Sequence, residues 1–200
     1  MTSGAWATSA PIEPWQSRRV SKNILLTGEP GCGKTTLIQR VLARLSHPAG
    51  GFYTEELRSR GVRQGFRMVT LDGEGAVLAH LDYPGPPRVG RYGVDVAALD
   101  RVGVASIRRA LASGALVIID EIGPMELFSP AFCAAVQEAL DSPAVVLGTI
   151  VRRSRPFADA IKARPDVTVI TVTPANRDRL VEQVLALVTA ALAASGSAMS

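Results

Sequence analysis

The stretch Asn23 to Thr36 reads NILLTGEPGCGKTT, and it constrains the chain more than any other. Gly28, Gly33, Lys34 and Thr35 fall on the pattern GxxxxGK[ST], in which successive backbone N–H groups form a concave anion site where a helix begins. Glycine lets the backbone approach an anion with no side chain in between, and Pro30 stiffens the turn by fixing its own φ. Lys34 offers a mobile positive charge to β- and γ-phosphates, and the Thr35 hydroxyl is a hard oxygen suited to Mg²⁺. The candidate nucleotide-binding residues of this loop are Gly28, Glu29, Pro30, Gly31, Cys32, Gly33, Lys34, Thr35 and Thr36. The flanks agree with the motif. Ile24, Leu25 and Leu26 form an apolar strand before it, and Leu37, Ile38, Val41, Leu42 and Leu45 recur at helical spacing after it.

A second segment completes the chemistry. Leu116 to Ile119 is an unbroken apolar run, as expected of a strand covered on both faces, and it ends in Asp120-Glu121. Ligands of open α/β sheets bind beyond the carboxyl ends of strands, so both acids should emerge where the phosphate loop opens. Asp120 is then the metal partner of Thr35, and Glu121 the group that orients or deprotonates an attacking water; Lys34 and Glu121 are the candidate catalytic residues. Ala144 to Leu147 reads as a further strand, and Thr149 just beyond it is placed to sense a γ-phosphate. Arg152 and Arg153, with Arg155, are candidates for stabilising charge on the transferring phosphoryl group.

Between the two motifs the period changes. GFYTEEL, GFRMVTL and AVLAHL alternate as strands, separated by the turn signals Ser59-Arg60-Gly61 and Asp72-Gly73-Glu74-Gly75. They predict an antiparallel extension at one edge of the main sheet, set off from the first helix by the breaker cluster His47 to Gly51. Glu55 faces the nucleotide in one reading and is a solvated hairpin charge in the simpler one. Arg88 and Arg91, flanking glycine, are candidates to reach a polyphosphate. Val104, Ile107, Ala110 and Leu111 mark a helix, Ser129-Pro130 a cap and first helical residue, and Pro156 to Pro165 bracket a short helix. Val167 to Val172 reads as the last strand, with Thr173 capping a final amphipathic helix; Asn176 and Arg177 at its start either cap it or touch a base edge.

With 200 residues and 47% hydrophobic content, the chain suits one domain over 22–192, between a flexible arm at 1–21 carrying Trp6 and Trp15 and a flexible tail at 193–200. The formal charge of +4 has no basic run behind it, so a nucleoside triphosphate suffices as the acidic partner; nucleic acid is possible but not indicated. Cys32 and Cys133 suggest neither a disulfide framework nor zinc, and point to a reducing cytoplasm. No charged start with an apolar core opens the chain, and the run Val184 to Ala194 is too short to cross a bilayer.

Several stretches in this order, GEPGCGKTTL, GGFYTEELR, RVGRYGVDV, VIIDEIGPMEL and RRSRPFADAIKARPDVTVITVT followed by ANRD, resemble the cancer-related nucleoside-triphosphatase family of small P-loop proteins. The likeness runs from about Lys22 to Leu187. It implies an α/β, RecA-like P-loop NTPase fold: a three-layer sandwich with a mainly parallel central sheet and an antiparallel hairpin extension at one edge. It also implies Mg²⁺-dependent hydrolysis of nucleoside triphosphates with little base preference. The implied contacts are at Gly28 to Thr35 and at Val117, Ile118, Ile119, Asp120, Glu121, Ile122, Gly123 and Pro124. The chain departs from the family pattern at Pro124, where lysine is frequent, and at Val151, where proline is usual. A nucleotide, nucleoside or polynucleotide kinase and a nucleotide-gated binding module remain open as alternatives, and guanine selectivity is not expected without an Asn-Lys-x-Asp motif.

Overall fold

The computed structural model describes residues 21–197. The expected arm with Trp6 and Trp15, apart from Ser21, lies outside the described residues, as do positions 198–200. In chain order the elements are β1 (Asn23–Thr27), α1 (Lys34–Leu42), β2 (Ala49–Ser59), β3 (Val62–Thr70), β4 (Gly75–His80), β5 (Arg88–Val89), β6 (Tyr92–Val94) and α2 (Val96–Ala98). A π-helical stretch Leu99–Val104 joins α2 to α3 (Ala105–Ala112). Then follow β7 (Leu116–Ile122), a 3₁₀ turn Glu126–Phe128, α4 (Pro130–Asp141), β8 (Val146–Ile150), α5 (Pro156–Lys162), β9 (Val167–Thr171) and α6 (Arg177–Ser197).

All nine strands form one sheet in the order β5-β6-β4-β3-β2-β7-β8-β1-β9. The half from β2 to β9 is parallel, and the half from β5 to β2 is antiparallel. β8 lies between the strand that feeds the phosphate loop and the strand that carries the acids, the RecA-like arrangement implied by the resemblance.

Side chains alternate between the two faces of a strand, and each face here has its own core. Ile24, Leu26, Leu116, Ile118 and Leu147 pack with Leu37, Ile38 and Val41 of α1 and with Val181, Val184 and Val188 of α6. Leu25, Val117, Ile119 and Val146 face the other way, against Ile107 and Ala110 of α3, Phe132, Val136 and Leu140 of α4, and Ile161 of α5. Full burial of one such aliphatic side chain contributes about 1.5–3 kcal/mol. The parallel strands read as continuous apolar runs because both faces are covered.

The boundary of the hairpin extension differs from the expectation. The sequence predicts a breaker through Gly51 and an edge strand from there, yet Ala49 to Phe52 pair in parallel with Leu116 to Ile119 of β7 before the same strand turns antiparallel against β3. The glycines there permit a close approach: a Cβ on Gly51, at φ 102°, would sit 2.0 Å from the Ile118 carbonyl oxygen. β2 is therefore the strand on which the two halves of the sheet join, and it brings Thr54, Glu55 and Glu56 toward the acids. The helix expected around Val104 to Leu111 begins earlier, at Val96, with the Asp95 side chain accepting from the Ala98 N–H at 2.8 Å. α6 continues to Ser197, through positions read as part of the tail.

Candidate active site

Gly33 sits at the N-terminus of α1 with φ 102°, the left-handed region open to glycine, and its carbonyl accepts from the Leu37 N–H at 2.9 Å. The turn thus delivers Lys34 and Thr35 directly into the first helical turn. Lys34 Nζ donates to the Gly28 carbonyl at 3.2 Å and to the Glu29 carbonyl at 3.4 Å. Cys32, expected in the ligand-binding set, turns its side chain into the core beside Leu37, and its N–H is engaged by the Glu29 carbonyl at 3.2 Å.

Pairing between β7 and β8 shifts register between Ile119 and Ile122, so Asp120 and Glu121 lie at an irregularity, which re-aims side chains at the end of a strand. Asp120 is buried and fully engaged: Thr35 Oγ1 donates to Oδ2 and Thr149 Oγ1 to Oδ1, each at 2.5 Å. Burial raises its pKa, against the pull of the two hydroxyls and Lys34. One hydroxyl and one carboxylate side by side, all hard oxygen, fit Mg²⁺, which takes one or two protein ligands and fills its octahedron with phosphate oxygens and water.

Burial likewise raises the pKa of Glu121, and the Lys34 charge opposes the rise. A third carboxylate, missed in the sequence reading, completes the group. Glu126 is buried on the 3₁₀ turn, and its pKa is pushed up to about 8, first by burial and then by the Glu121 charge, with the Gly123 N–H and its own N–H pulling back. The two glutamates converge on Gly123, where a Cβ would come within 2.9 Å of Glu126 Oε2 and 3.1 Å of Glu121 Cδ. Its signal was present in the sequence: a lone acid inside the otherwise uncharged run IGPMEL.

These groups open onto one cavity of about 460 Å³, lined by Pro30, Gly31, Gly33, Lys34, Thr35 and Thr36 of the loop and by Asp120, Glu121, Pro124 and Glu126 of the acidic segment. Its remaining wall comes from the antiparallel strands: Thr54, Glu55, Glu56, Arg63, Phe66, Leu78 and Val89, with Met125. Glu55 lines it while paired with Arg67 at 2.7 Å.

Other candidates fall elsewhere. Val117, Ile118, Ile119 and Ile122 are fully buried, because the strand carrying the acids is covered on both faces, so they support the acids from within the core. Thr149 is buried under Asp120 and holds that carboxylate, which leaves no surface for sensing a phosphate. Arg91 lies on the Tyr92 ring at 5.3 Å and donates to the Arg63 carbonyl at 3.4 Å, while Arg88 donates to the Tyr83 carbonyl at 2.8 Å; both are used by the hairpin. Arg152 pairs with Glu29 at the surface, and Arg153 is exposed. Thr173 does not cap α6 with its hydroxyl; the Asn176 side chain instead accepts from the Thr173 N–H at 2.8 Å and donates to the Thr171 carbonyl at 3.0 Å. Arg177 lies across Gly33, its Cδ 3.1 Å from where a Cβ would stand, and lines a second cavity of about 230 Å³ with Thr36, Leu37, Arg40 and Asp178.

The sequence model of a family described as NTPase matches residues 23–185, spanning both motifs and the hairpins between them. The chain belongs to this nucleoside-triphosphatase family. Among its curated relatives, the nucleoside-triphosphatase THEP1 of a Thermotoga species (strain RQ2) is 48% identical over 164 residues, covering 82% of this chain and 94% of the relative. The human cancer-related nucleoside-triphosphatase is 40% identical over 185 residues, covering 84% and 97%. A crystal structure of THEP1 from Aquifex aeolicus superposes with a TM-score of 0.77 at 38% identity, over 83% of this chain and 98% of that one. This member of the NTPase family therefore shares the α/β fold of its relatives along nearly their whole length. Among the described residues no helix is long and apolar enough to cross a membrane.

Proposed function

We propose that the protein is an Mg²⁺-dependent nucleoside-triphosphatase that cleaves the β,γ bond of ATP, GTP and related triphosphates to give the diphosphate and phosphate. The observation that carries this reading is Asp120, held by the Thr35 and Thr149 hydroxyls at 2.5 Å each, lining one cavity together with Thr35, Lys34 and Glu121. The names of the relatives support the same chemistry.

Lys34 and the loop N–H groups bind the β- and γ-phosphate oxygens and meet the charge that develops on them in the transition state. Thr35 and Asp120 would hold Mg²⁺, which when bound supplies a Lewis-acid charge to those oxygens. Thr149 fixes the Asp120 carboxylate. Glu121 aligns a water opposite the bridging oxygen and accepts its proton; the raised pKa makes it a better base than an exposed glutamate. Glu126, neutral below about pH 8, stands behind Glu121 without adding a third negative charge to those of Asp120 and Glu121.

The flank of the loop supports low base preference. The Asn176 carboxamide is committed to backbone partners, and the cavity beside Gly33 offers Arg40 and Arg177 side chains, which suit any base face. Free Cys32 and Cys133 fit a cytoplasmic setting. Phosphate release from ATP, GTP, CTP and UTP tests the reading: the four rates should agree within about tenfold and be on the order of 10⁻³ to 10⁻² s⁻¹, the range of switch-type NTPases without a supplied arginine or with one in cis. Basal turnover of tens per second, or strict use of one base, would refute it.

A further inference from the structure

The space for phosphate does not end at the main cavity. Gly33 and Thr36 line both that cavity and the second one of about 230 Å³, so the two meet where α1 begins. In a loop of this kind the N–H groups cradle the α- and β-phosphates while the lysine reaches the β- and γ-phosphates. The α-phosphate therefore belongs at this junction. Three arginines line the two cavities. Arg63 is paired with Glu56, and Arg40 with Asp178 at 2.6 Å, which also neutralises the Asp178 carboxylate in the wall of the second cavity. Among the described residues the Arg177 side chain has no hydrogen bond or ion pair, yet it lies over the loop, with Cδ 3.1 Å and Nη1 3.5 Å from where a Cβ on Gly33 would stand. An unspent guanidinium thus stands beside the place where a third phosphate follows the two held by Lys34. Guanidinium can give its N–H donors to phosphate oxygens and its face to a ring at the same time. The Asn176 carboxamide, by contrast, is spent on the backbone, so recognition at this end falls on phosphate more than on base.

We propose that Arg177 completes a third phosphate subsite, and that the protein also hydrolyses inorganic tripolyphosphate to pyrophosphate and phosphate. The inference rests on the phosphate-loop reading above. Tripolyphosphate lies along the loop as the three phosphates of ATP do, with Lys34 at the attacked phosphate and its neighbour and Arg177 at the far end. The oxygen of water forms a bond to the terminal phosphorus and its proton passes to Glu121. The bond from that phosphorus to the bridging oxygen breaks, and its electron pair leaves with pyrophosphate. The far phosphate changes little in charge during this step. Arg177 therefore holds ground state and transition state alike, and its contribution is read in KM rather than in kcat.

The test measures phosphate release by the full-length protein from Mg²⁺-tripolyphosphate and from Mg²⁺-ATP, with pyrophosphate assayed as the other product of the first. Tripolyphosphate should be cleaved with a kcat of the same order as that for ATP. Arg177→Ala, at an exposed position, should raise KM for both substrates at least about tenfold, the effect of losing a hydrogen bond to a charged group, with kcat nearly unchanged. Arg177→Lys, which keeps the charge and loses the fork of donors, should fall between the two. If Arg177→Ala weakens ATP but not tripolyphosphate, Arg177 is a platform for the base alone and the subsite is overturned. If it weakens neither, in a protein with an unchanged melting temperature, Arg177 lies outside the site and the proposal falls. Cleavage of ATP without cleavage of tripolyphosphate would likewise refute the proposed activity. Failure of the wild type on both substrates would instead remove the underlying phosphate-loop reading.

Discussion

Asp120, Glu121 and Glu126 place three carboxylates around one end of a strand, and the fold separates their tasks by environment. Asp120 is satisfied by two hydroxyls, Glu121 faces Lys34 across the cavity, and Glu126 is held back from ionising. The last has a thermodynamic consequence. Its folded pKa of about 8 lies above the ordinary 4.5, so between those values the folded protein keeps a proton that the unfolded chain releases. Stability therefore falls as pH rises through that window, at up to about 1.4 kcal/mol per pH unit, and the slope vanishes above it. Glutamine does not titrate. Urea midpoints at several values between pH 5 and pH 8.5 should show a flatter dependence in Glu126→Gln than in the wild type, and identical slopes would contradict the assignment. Thr149→Val removes the hydroxyl that fixes Asp120, so the Mg²⁺ concentration for half-maximal phosphate release should rise about 10- to 100-fold, the usual effect of losing a partner behind a metal ligand. An unchanged Mg²⁺ midpoint would place Thr149 outside the site.

Elements whose signals are local were legible in the sequence. Ser129 caps α4 as its spacing predicts, its Oγ accepting from the Phe132 N–H at 2.9 Å with Pro130 at the first helical position. Ser129→Ala should cost about 1 kcal/mol, lowering the melting temperature by about 2–4 °C with phosphate release unaffected; an unmoved melting temperature would deny the cap its role. The phosphate loop and its strand and helix were legible for the same reason, since glycine, lysine and threonine at fixed offsets leave little choice. Parts that depend on distant pairing were not. Gly50 and Gly51 look like breakers until Ala110 packs against the first and Ile118 pairs with the second, so the parallel start of β2 could not be read from its own residues. Thr149 looks like a strand-end hydroxyl until the register of β7 and β8 sets it under Asp120. Glu126 stands out in the sequence only as a lone acid, and no local pattern says that a 3₁₀ turn will fold it back beside Glu121.

On the scale of the whole molecule, one sheet joins a parallel half that carries loop and acids to an antiparallel half that closes the cavity around them. Because the site draws on α1, β2, β7 and the hairpins together, its ligand should hold the molecule as a unit. Mg²⁺ with a non-hydrolysable ATP analogue at about 100 times its dissociation constant should stabilise the fold by about 2.7 kcal/mol, read as a rise in melting temperature that Lys34→Ala abolishes. A rise that persists in Lys34→Ala would locate the ligand elsewhere. The central claim is that the loop grips the triphosphate while Glu121 activates the nucleophile. It is tested most directly by comparing phosphate release from saturating Mg²⁺-ATP by Glu121→Gln and the wild type, with the affinity of each for the ATP analogue measured alongside. The account predicts affinities within about threefold and release slowed about 10²- to 10⁴-fold in the variant; release at the wild-type rate would contradict it.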